Sequence, residues 1–421
     1  MDAARAARGA PAGAARSSNS WQSRRRRAVP AWRDHTLRLI DLLAVLALAA
    51  FWFAAVPVAG AFVVRRSWRH FRRRLDDLRL SPILDYRASC SLDSAGSDFR
   101  FFGDFESVTD GRILWARSDN LTVPVELDRA AIYLLPAADE TDDGNERASF
   151  DMDGSPPEKI RWDRVASLSE GAKVFIGGKA RDESGQVRFS SEGTEEILLI
   201  LYDGNERSLI SRTVKAGRQK NEYWNSSTAY AIVLGSFSEL ILALVYSKRP
   251  ALGAASSAAL AAAFIPLLPL LPPGLVMTGL YRRLWRKGRA FRTFRDLVRM
   301  PLRHLEGMRE TKLPDGSRYG WRELGNALAP TEGEGVPVLP PGADPAAEEE
   351  WRCYGMIDDD GTIRAPRDPG AIWAAVPGDP AVLSGRYEVM ARLLEIGAMA
   401  ALLAGIAANS VLAWLFVRSF R

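Results

Sequence analysis

The stretch TAYAIVLGSFSELILALVYSKRPALGAASSAALAAAFIPLLPLLPPGLVMTGLY, residues 228–281, decides the fold. It contains two long apolar blocks, and the residues between them are Ser247, Lys248, Arg249 and Pro250. A hydrocarbon core is crossed by about 20 apolar residues in an α-helix, so each block is long enough to span a membrane. The stretch therefore predicts a tight membrane hairpin, with one transmembrane helix at residues 228–246 and another at 251–281.

Two further apolar blocks, at residues 42–64 and 396–417, have the length of membrane spans. The whole chain has 421 residues, of which 25% are charged, so it is too polar to lie entirely in a membrane. We therefore predict an α+β membrane protein with about four transmembrane helices and two water-exposed domains. One domain lies between the first and second spans, and the other lies between the third and fourth.

Arginine-rich segments flank the predicted spans. Residues 1–36 are basic and rich in small residues, which predicts a disordered N-terminus. Residues 65–80 and 282–304 place apolar side chains at three- and four-residue steps among arginines, the pattern of basic amphipathic helices at a membrane surface. A plain extension of each span into water is the alternative. These clusters predict contact with anionic lipid head groups. We predict no nucleic-acid partner.

The segment between the first two spans has the pattern of a small β domain at residues 99–203. Short alternating runs are bounded by turn signals such as Asp110-Gly111 and Gly177-Gly178. This spacing predicts a β-barrel or OB-like module with a mobile acidic loop at 138–158. The predicted strands cover residues 99–108, 112–117, 121–127, 131–135, 173–180, 187–190 and 197–202.

Residues 305–386 are rich in Pro and Gly, which predicts a linker followed by a small, partly irregular domain. Asp360-Gly361 separates two apolar pieces, at 354–357 and 362–363, and indicates one small hairpin there.

The run Leu-Ser-Glu-Gly-Ala-Lys-Val-Phe-Ile-Gly-Gly-Lys at residues 168–179 is followed by Val-Arg-Phe-Ser-Ser at 187–191 and then by a span. In this order, the region 99–246 resembles the membrane-tethered β domain of GIDE/BAM-type proteins, and it is more distantly similar to the OB-like modules of NfeD-type proteins. The resemblance implies a tethered barrel. No cysteine- and histidine-rich RING domain follows the span, so it implies no ubiquitin-ligase activity.

Basic residues near span ends predict the orientation, because they remain on the cytoplasmic side. Three large clusters, at residues 65–79, 212–220 and 282–303, all flank the two soluble segments. We therefore predict that both soluble domains are cytoplasmic, in a membrane of the bacterial plasma (inner) type. This orientation places the arginines of the N-terminus outside, unless the first apolar block re-enters the membrane or the true start lies downstream of Met1.

Glu239 and Asn409 are the intramembrane polar candidates. A carboxylate near the middle of a span must be neutral or paired, and Asn409, in the fourth span, is the partner we predict for Glu239. The pair would act either as a proton or cation relay or as an interhelical hydrogen bond.

Other candidates concern backbone geometry and the membrane interface. Four prolines remove backbone donors from the third span, which predicts a break either at membrane depth, as in transporters, or at the interface. Small residues at four-residue steps in the fourth span predict close helix packing. An aromatic pair before the second span predicts an interface anchor, with a small ligand site as the alternative. These residues are Pro266, Pro269, Pro272 and Pro273 for the break, Gly397, Ala401 and Gly405 for packing, and Tyr223 and Trp224 for the anchor.

The sequence contains no recognisable catalytic constellation. Its two cysteines, Cys90 and Cys353, are far apart, and its three histidines lie in arginine-rich flanks. We predict no cofactor and no metal site. The function favoured is a scaffold or interaction protein that presents a β-rich domain at the membrane surface. The predicted protein partners are a second copy of the chain or other membrane proteins. A transporter or channel component built around Glu239 is the first alternative, and a membrane enzyme is the second.

Overall fold

The structure is a computed structural model that describes residues 31–92, 96–136, 157–161, 163, 165, 172–183, 185–191, 196–219, 224–324, 330, 335–340, 343 and 350–419. Most of the predicted disordered N-terminus and most of the predicted acidic loop at 138–158 therefore lie outside the described residues. The chain divides into two compact units, Met1–Trp52 with Val233–Phe264, and Phe53–Ile232 with Ile265–Arg421.

The described helices, in chain order, are α1 Ala31–Ala50, α2 Val56–Leu78, α3 Tyr86–Cys90, α4 Ser208–Gln219, α5 Ser226–Ser247, α6 Gly253–Ala263, α7 Pro272–Leu305 and α8 Pro380–Ser419. A π-helical turn, Phe51–Ala55, joins α1 to α2. It lies directly before Pro57, which has no N–H to donate to the carbonyl of Phe53. Within the described chain, three helical segments are long and apolar enough to cross a membrane: Leu39–Leu78, Ser226–Ser247 and Pro380–Leu415.

The first β domain contains a closed five-stranded barrel, which confirms the predicted β-barrel. Strands β1 Ser97–Thr109, β2 Ile113–Ser118, β3 Leu121–Glu126, β4 Ala131–Leu134, β5 Glu158–Ile160, β6 Lys173–Glu183, β7 Gln186–Phe189 and β8 Leu198–Tyr202 form its sheet. The ring runs β1-β2-β3-β7-β6 and closes by pairing of β6 with β1. Asp110 and Gly111 both have positive φ, 53° and 65°, which is the conformation that a tight hairpin turn requires.

Strands β8, β4 and β5 extend the barrel sheet beyond β6. All five residues of β8 are buried, because both faces of the strand are covered. Leu199 and Leu201 pack inside the barrel, whereas Leu198, Ile200 and Tyr202 pack into a second core. A fully apolar strand is what a sheet covered on both faces requires.

The second β domain is more regular than the sequence predicts. Six described strands between residues 310 and 377 form one sheet in the order β11-β14-β12-β10-β9, with β13 paired to β12. Its strands are β9 Glu310–Lys312, β10 Arg318–Leu324, β11 Val336–Pro337, β12 Trp351–Ile357, β13 Ile363–Arg364 and β14 Ala374–Pro377. The predicted hairpin at Asp360-Gly361 exists as β12–β13, but strands β9 and β10 lie where the sequence predicts a linker, and β12 also pairs with β10 and β14.

One apolar core joins both β domains to helices α2, α4, α7 and α8. It contains Phe71 and Leu75 from α2, Phe294 from α7, Ile200 from the first domain and Tyr354 from the second. The predicted membrane-surface helices at 65–80 and 282–304 therefore bury their apolar faces against protein. The two β domains, which two predicted spans separate in the sequence, are packed into one body.

A buried polar cluster lies within this body. Arg100 of β1 pairs with Asp368 of the second domain, and the two residues are 0% and 4% exposed. Arg100 Nε donates to the Ser81 carbonyl at 2.7 Å, and Arg79 Nη2 donates to the Met300 carbonyl at 3.3 Å. His304 packs against Tyr319, with ring centroids 5.1 Å apart. The cluster links the two β domains by charge as well as by apolar contact.

His304 makes the stability of this body depend on pH. Burial, together with the nearby Arg79, lowers the pKa of His304 to about 3 from an unfolded value of about 6.5. Between these values the unfolded chain binds a proton that the folded chain does not, so stability falls as the pH drops below about 6.5, by up to about 1.4 kcal/mol per pH unit. We expect His304→Phe to flatten the decline of the melting temperature between pH 7 and pH 4.5.

The matched control is His70→Phe, because it removes the same imidazole from an exposed position on α2. The decline of the melting temperature should be flatter in His304→Phe than in this control. An equal decline of the melting temperature with falling pH in the wild type and in His304→Phe would contradict the assignment of this pH dependence to His304.

Candidate functional site

Glu239 lies in the middle of α5 and is 0% exposed. Neither carboxylate oxygen has a hydrogen-bond partner among the residues that the structure describes. Two serine hydroxyls join α5 to the segment that follows it: Ser236 donates to the Ala263 carbonyl at 2.8 Å, and Ser256 donates to the Ala243 carbonyl at 2.9 Å. Glu239 is therefore a buried acidic group whose polar neighbours bond to the backbone.

Asn409 bonds to the backbone near the prolines, which differs from the predicted pairing with Glu239. Its amide donates to the Leu268 carbonyl at 2.5 Å and to the Leu271 carbonyl at 3.5 Å. Pro272 has no N–H to donate to the carbonyl four residues earlier, that of Leu268, which accepts instead from the Leu271 N–H at 3.3 Å and from Asn409. The Pro269 carbonyl, four residues before Pro273, accepts from the Thr278 hydroxyl at 3.2 Å. One backbone N–H and two side chains thus serve the carbonyls that the prolines leave without a helical donor.

The four prolines lie where the helical path changes. Pro266 and Pro269 lie in a 3-10 segment, Ile265–Leu270, and Pro272 and Pro273 begin α7. The predicted third span is thus made of α6, this 3-10 segment and the start of α7. Proline is well accommodated at the first helical positions, where a backbone donor would have no partner.

The small residues of α8 pack against α7. A Cβ added at Gly405 would lie 2.8 Å from Met277 Cβ and 3.2 Å from Gly274 Cα, whereas one at Gly397 would lie 3.6 Å from Leu284 Cδ1. Ala401, between them, is 8% exposed. The helices approach most closely at Gly405, next to the proline segment.

The predicted interface anchor is only partly described. Tyr223 lies outside the described residues, and Trp224 is 72% exposed. Asn225, which the anchor prediction did not include, accepts from the Thr228 N–H at 3.1 Å and so caps the start of α5. Its amide also donates to the Pro57 carbonyl at 3.4 Å, which ties α5 to α2.

A cavity lined by arginines lies among the helices of the second unit. It has a volume of about 340 Å³, and helices α2, α4, α7 and α8 form its walls. Seven arginines and one glutamate line it, together with Ala391: Arg65, Arg69, Arg72, Arg218, Arg292, Arg295, Arg392 and Glu388. We call this cavity the arginine basin.

Asp296 of α7 holds the wall of the arginine basin together. Its carboxylate accepts from Arg218 Nε at 2.8 Å, Arg295 Nε at 3.0 Å and Arg72 Nη1 at 3.3 Å. Burial alone would raise the pKa of Asp296, but Arg218 and Arg295 outweigh it and hold that pKa below its ordinary value. Burial lowers the pKa of Arg218 to about 10. Both groups are therefore ionised at neutral pH.

A second cavity, the apolar groove, adjoins the arginine basin and has a volume of about 450 Å³. Arg65, Arg292 and Arg392 line both spaces. The remaining wall is mostly apolar and comes from α7 and α8; it includes Trp285, Ile396, Met399, Ala400 and Leu403. A strongly cationic space thus adjoins an apolar one, and three arginines line both.

Sequence reasoning found the arginines but not the basin that they form. The available signal was Asp296, the sole acidic residue in the basic segment 282–304. A single carboxylate among many arginines indicates a point where several of them converge. Which arginines converge depends on contacts among four separate helices.

These features define a mixed α+β protein with a β-barrel and three apolar helices that could cross a membrane. Comparison with protein-family models, with curated proteins and with solved structures finds no match for the chain. Within the described ranges, no group of three or more His, Cys, Asp and Glu side chains could hold a metal ion.

Proposed function

We propose that the protein is an integral membrane scaffold that crosses the bilayer four times and holds its two β domains against the membrane surface. The observation that carries the proposal is the single core that joins both β domains to α2, α7 and α8. Since α2 and α8 belong to apolar segments long enough to cross, movement of the β domains away from the membrane would require that core to break. This fixed attachment of the β domains suits a scaffold that presents a surface to binding partners.

In this proposal, α6, the 3-10 segment and the start of α7 together make the third crossing. The proline segment is compatible with membrane depth because Thr278 satisfies the Pro269 carbonyl, and the Leu271 N–H and Asn409 satisfy the Leu268 carbonyl. Four crossings place both β domains on the same side, and the basic residues of α2, α4 and α7 favour the cytoplasmic side of a plasma-type membrane.

The likeness of residues 99–246 to GIDE/BAM-type and NfeD-type proteins stays a prediction, since no comparison bears on it. We extend it to the proposal that the closed ring of five strands is an OB-like module. Parallel pairing of β3 with β7, amid otherwise antiparallel neighbours in the ring, supports a Greek-key rather than an up-and-down barrel. Such modules bind partners through strand faces and loops.

Transport is the second candidate, because Glu239 is a fully buried acid without a hydrogen-bond partner among the described residues. Intramembrane carboxylates commonly mark proton or ion paths. The scaffold proposal instead assigns Glu239 to packing within the first unit.

Proton flux into proteoliposomes separates these functions. The purified full chain is reconstituted with a pH-sensitive dye inside, and a membrane potential is imposed. A scaffold predicts that wild type and Glu239→Gln give the same flux as protein-free liposomes. Flux that is lost in Glu239→Gln but kept in Glu310→Gln, a control at an exposed glutamate of the second β domain, would overturn the scaffold in favour of transport.

A further inference from the structure

The geometry points to a binding site for one anionic phospholipid, with its phosphate in the arginine basin and an acyl chain in the apolar groove. The inference rests on the proposed membrane architecture and adds to it a particular ligand. Its first support is charge. Seven arginines face one glutamate in a space of about 340 Å³, and guanidinium groups bind phosphate through paired, charge-assisted hydrogen bonds.

The arginine basin is preorganised for an anion. Asp296 fixes Arg72, Arg218 and Arg295 in position, so their side chains lose little freedom when a phosphate binds. The Nε of Arg292 is buried and has no acceptor among the described residues, while its Nη2 pairs with Glu395. A phosphate in the arginine basin would supply the acceptor that Arg292 Nε does not find among the described protein atoms.

The apolar groove selects a lipid over a free anion. Its wall includes Ile396 and Leu403, which are 66% and 61% exposed, so it opens on the outer surface of the helices. These residues begin the apolar run of α8 directly after Glu395. The two cavities therefore meet where charged sequence gives way to membrane-spanning sequence, at the depth of lipid phosphates.

The seven arginines of the basin and its position at the end of the apolar run of α8 both favour a lipid with a net negative headgroup. A zwitterionic choline lipid also carries a phosphate, but its cationic group would enter the same arginine-rich space and be repelled. We therefore expect phosphatidylglycerol to bind and phosphatidylcholine to bind weakly.

The test uses native mass spectrometry of the purified, delipidated full chain, titrated with dioleoyl phosphatidylglycerol or dioleoyl phosphatidylcholine. We expect one saturable phosphatidylglycerol adduct. The double variant Arg69→Gln/Arg392→Gln should weaken it about tenfold or more, because two charge-assisted contacts are lost. Arg69 is exposed, and Arg392 pairs only at the surface with Glu388, so the fold should tolerate both changes.

The matched control is Arg66→Gln/Arg282→Gln, which removes the same charge from exposed positions of α2 and α7 outside both cavities. Its affinity should equal that of the wild type. A second test variant, Ala400→Trp, fills the apolar groove and should weaken lipid binding while leaving all basin arginines in place. Inorganic phosphate at equal concentration should not displace the lipid.

Several results would overturn the inference. These are equal weakening in the control variant, equal binding of phosphatidylcholine, full affinity in both test variants, or displacement of the lipid by inorganic phosphate. The last would identify the arginine basin as a site for a free anion. Any of these outcomes leaves the scaffold proposal intact, because that proposal concerns membrane crossing and the shared core.

Discussion

Asp368→Ala is expected to destabilise the protein by about 3–5 kcal/mol, the usual cost of leaving a buried charge without its partner. Arg100, which is 0% exposed, would lose the carboxylate that neutralises it. Asp368 also accepts from the Gly370 N–H at 2.8 Å, and that loop contact would be lost as well. Because the pair joins the two β domains, we expect faster modification of the buried thiol of Cys353 in the second domain.

The comparison needed is an exposed ion pair in the same domain. Arg318 Nη2 and Asp359 Oδ1 lie 3.2 Å apart at the surface. Asp359→Ala should therefore lower the free energy of unfolding by less than about 1 kcal/mol. The double variant Arg100→Met/Asp368→Leu should recover much of the lost stability, since it removes both charges together. Chemical unfolding in detergent measures all three. A cost for Asp368→Ala no larger than that for Asp359→Ala would show that the pair does not join the domains.

Gly405→Val should destabilise the packing of α7 against α8 by about 1–3 kcal/mol or more. The first added carbon would lie 2.8 Å from Met277 Cβ and 3.2 Å from Gly274 Cα. Neither neighbour is the mobile end of a side chain, so the helices must separate. Separation would also move Asn409, on the same face of α8, away from the Leu268 carbonyl and break that hydrogen bond.

Gly397→Ala provides the control, because it lies on the same helix and its added carbon would make an ordinary contact at 3.6 Å with Leu284 Cδ1. We expect a change within about 0.5 kcal/mol. Thermal unfolding in detergent compares the two variants. A Gly405→Val protein as stable as Gly397→Ala would contradict the close helix approach.

Local patterns were sufficient to predict the barrel and the apolar segments. Alternating residues and the Asp110-Gly111 turn define β1 and β2, because strand pairing across a tight turn is a short-range property. The second sheet was missed for a related reason. Its strands β11 and β13 have two residues each, too few for a periodic signal, and β11 pairs with β14, which lies far along the chain.

The polar contacts that organise the molecule were beyond local reasoning. Arg100 and Asp368 are 268 positions apart, and Arg218 and Asp296 are 78 apart. Likewise, Asn409 is the kind of side chain that could pair with an intramembrane acid, yet it donates to backbone carbonyls of the proline segment. Sequence identifies side chains that need partners, but the choice of partner depends on the tertiary fold.

We propose that both β domains form one body on one side of the membrane. The side from which a thiol reagent labels each domain tests this arrangement most directly. A full chain carrying Cys353→Ser presents Cys90, which is exposed, as its sole thiol. A second chain, with both cysteines replaced by Ser, carries Asp359→Cys in the second β domain. A third chain, with the same two cysteine replacements, carries Lys248→Cys in the hairpin loop. A membrane-impermeant maleimide should label positions 90 and 359 only in inverted membrane vesicles, and position 248 only in intact cells. Labelling of positions 90 and 359 from opposite sides would contradict the account.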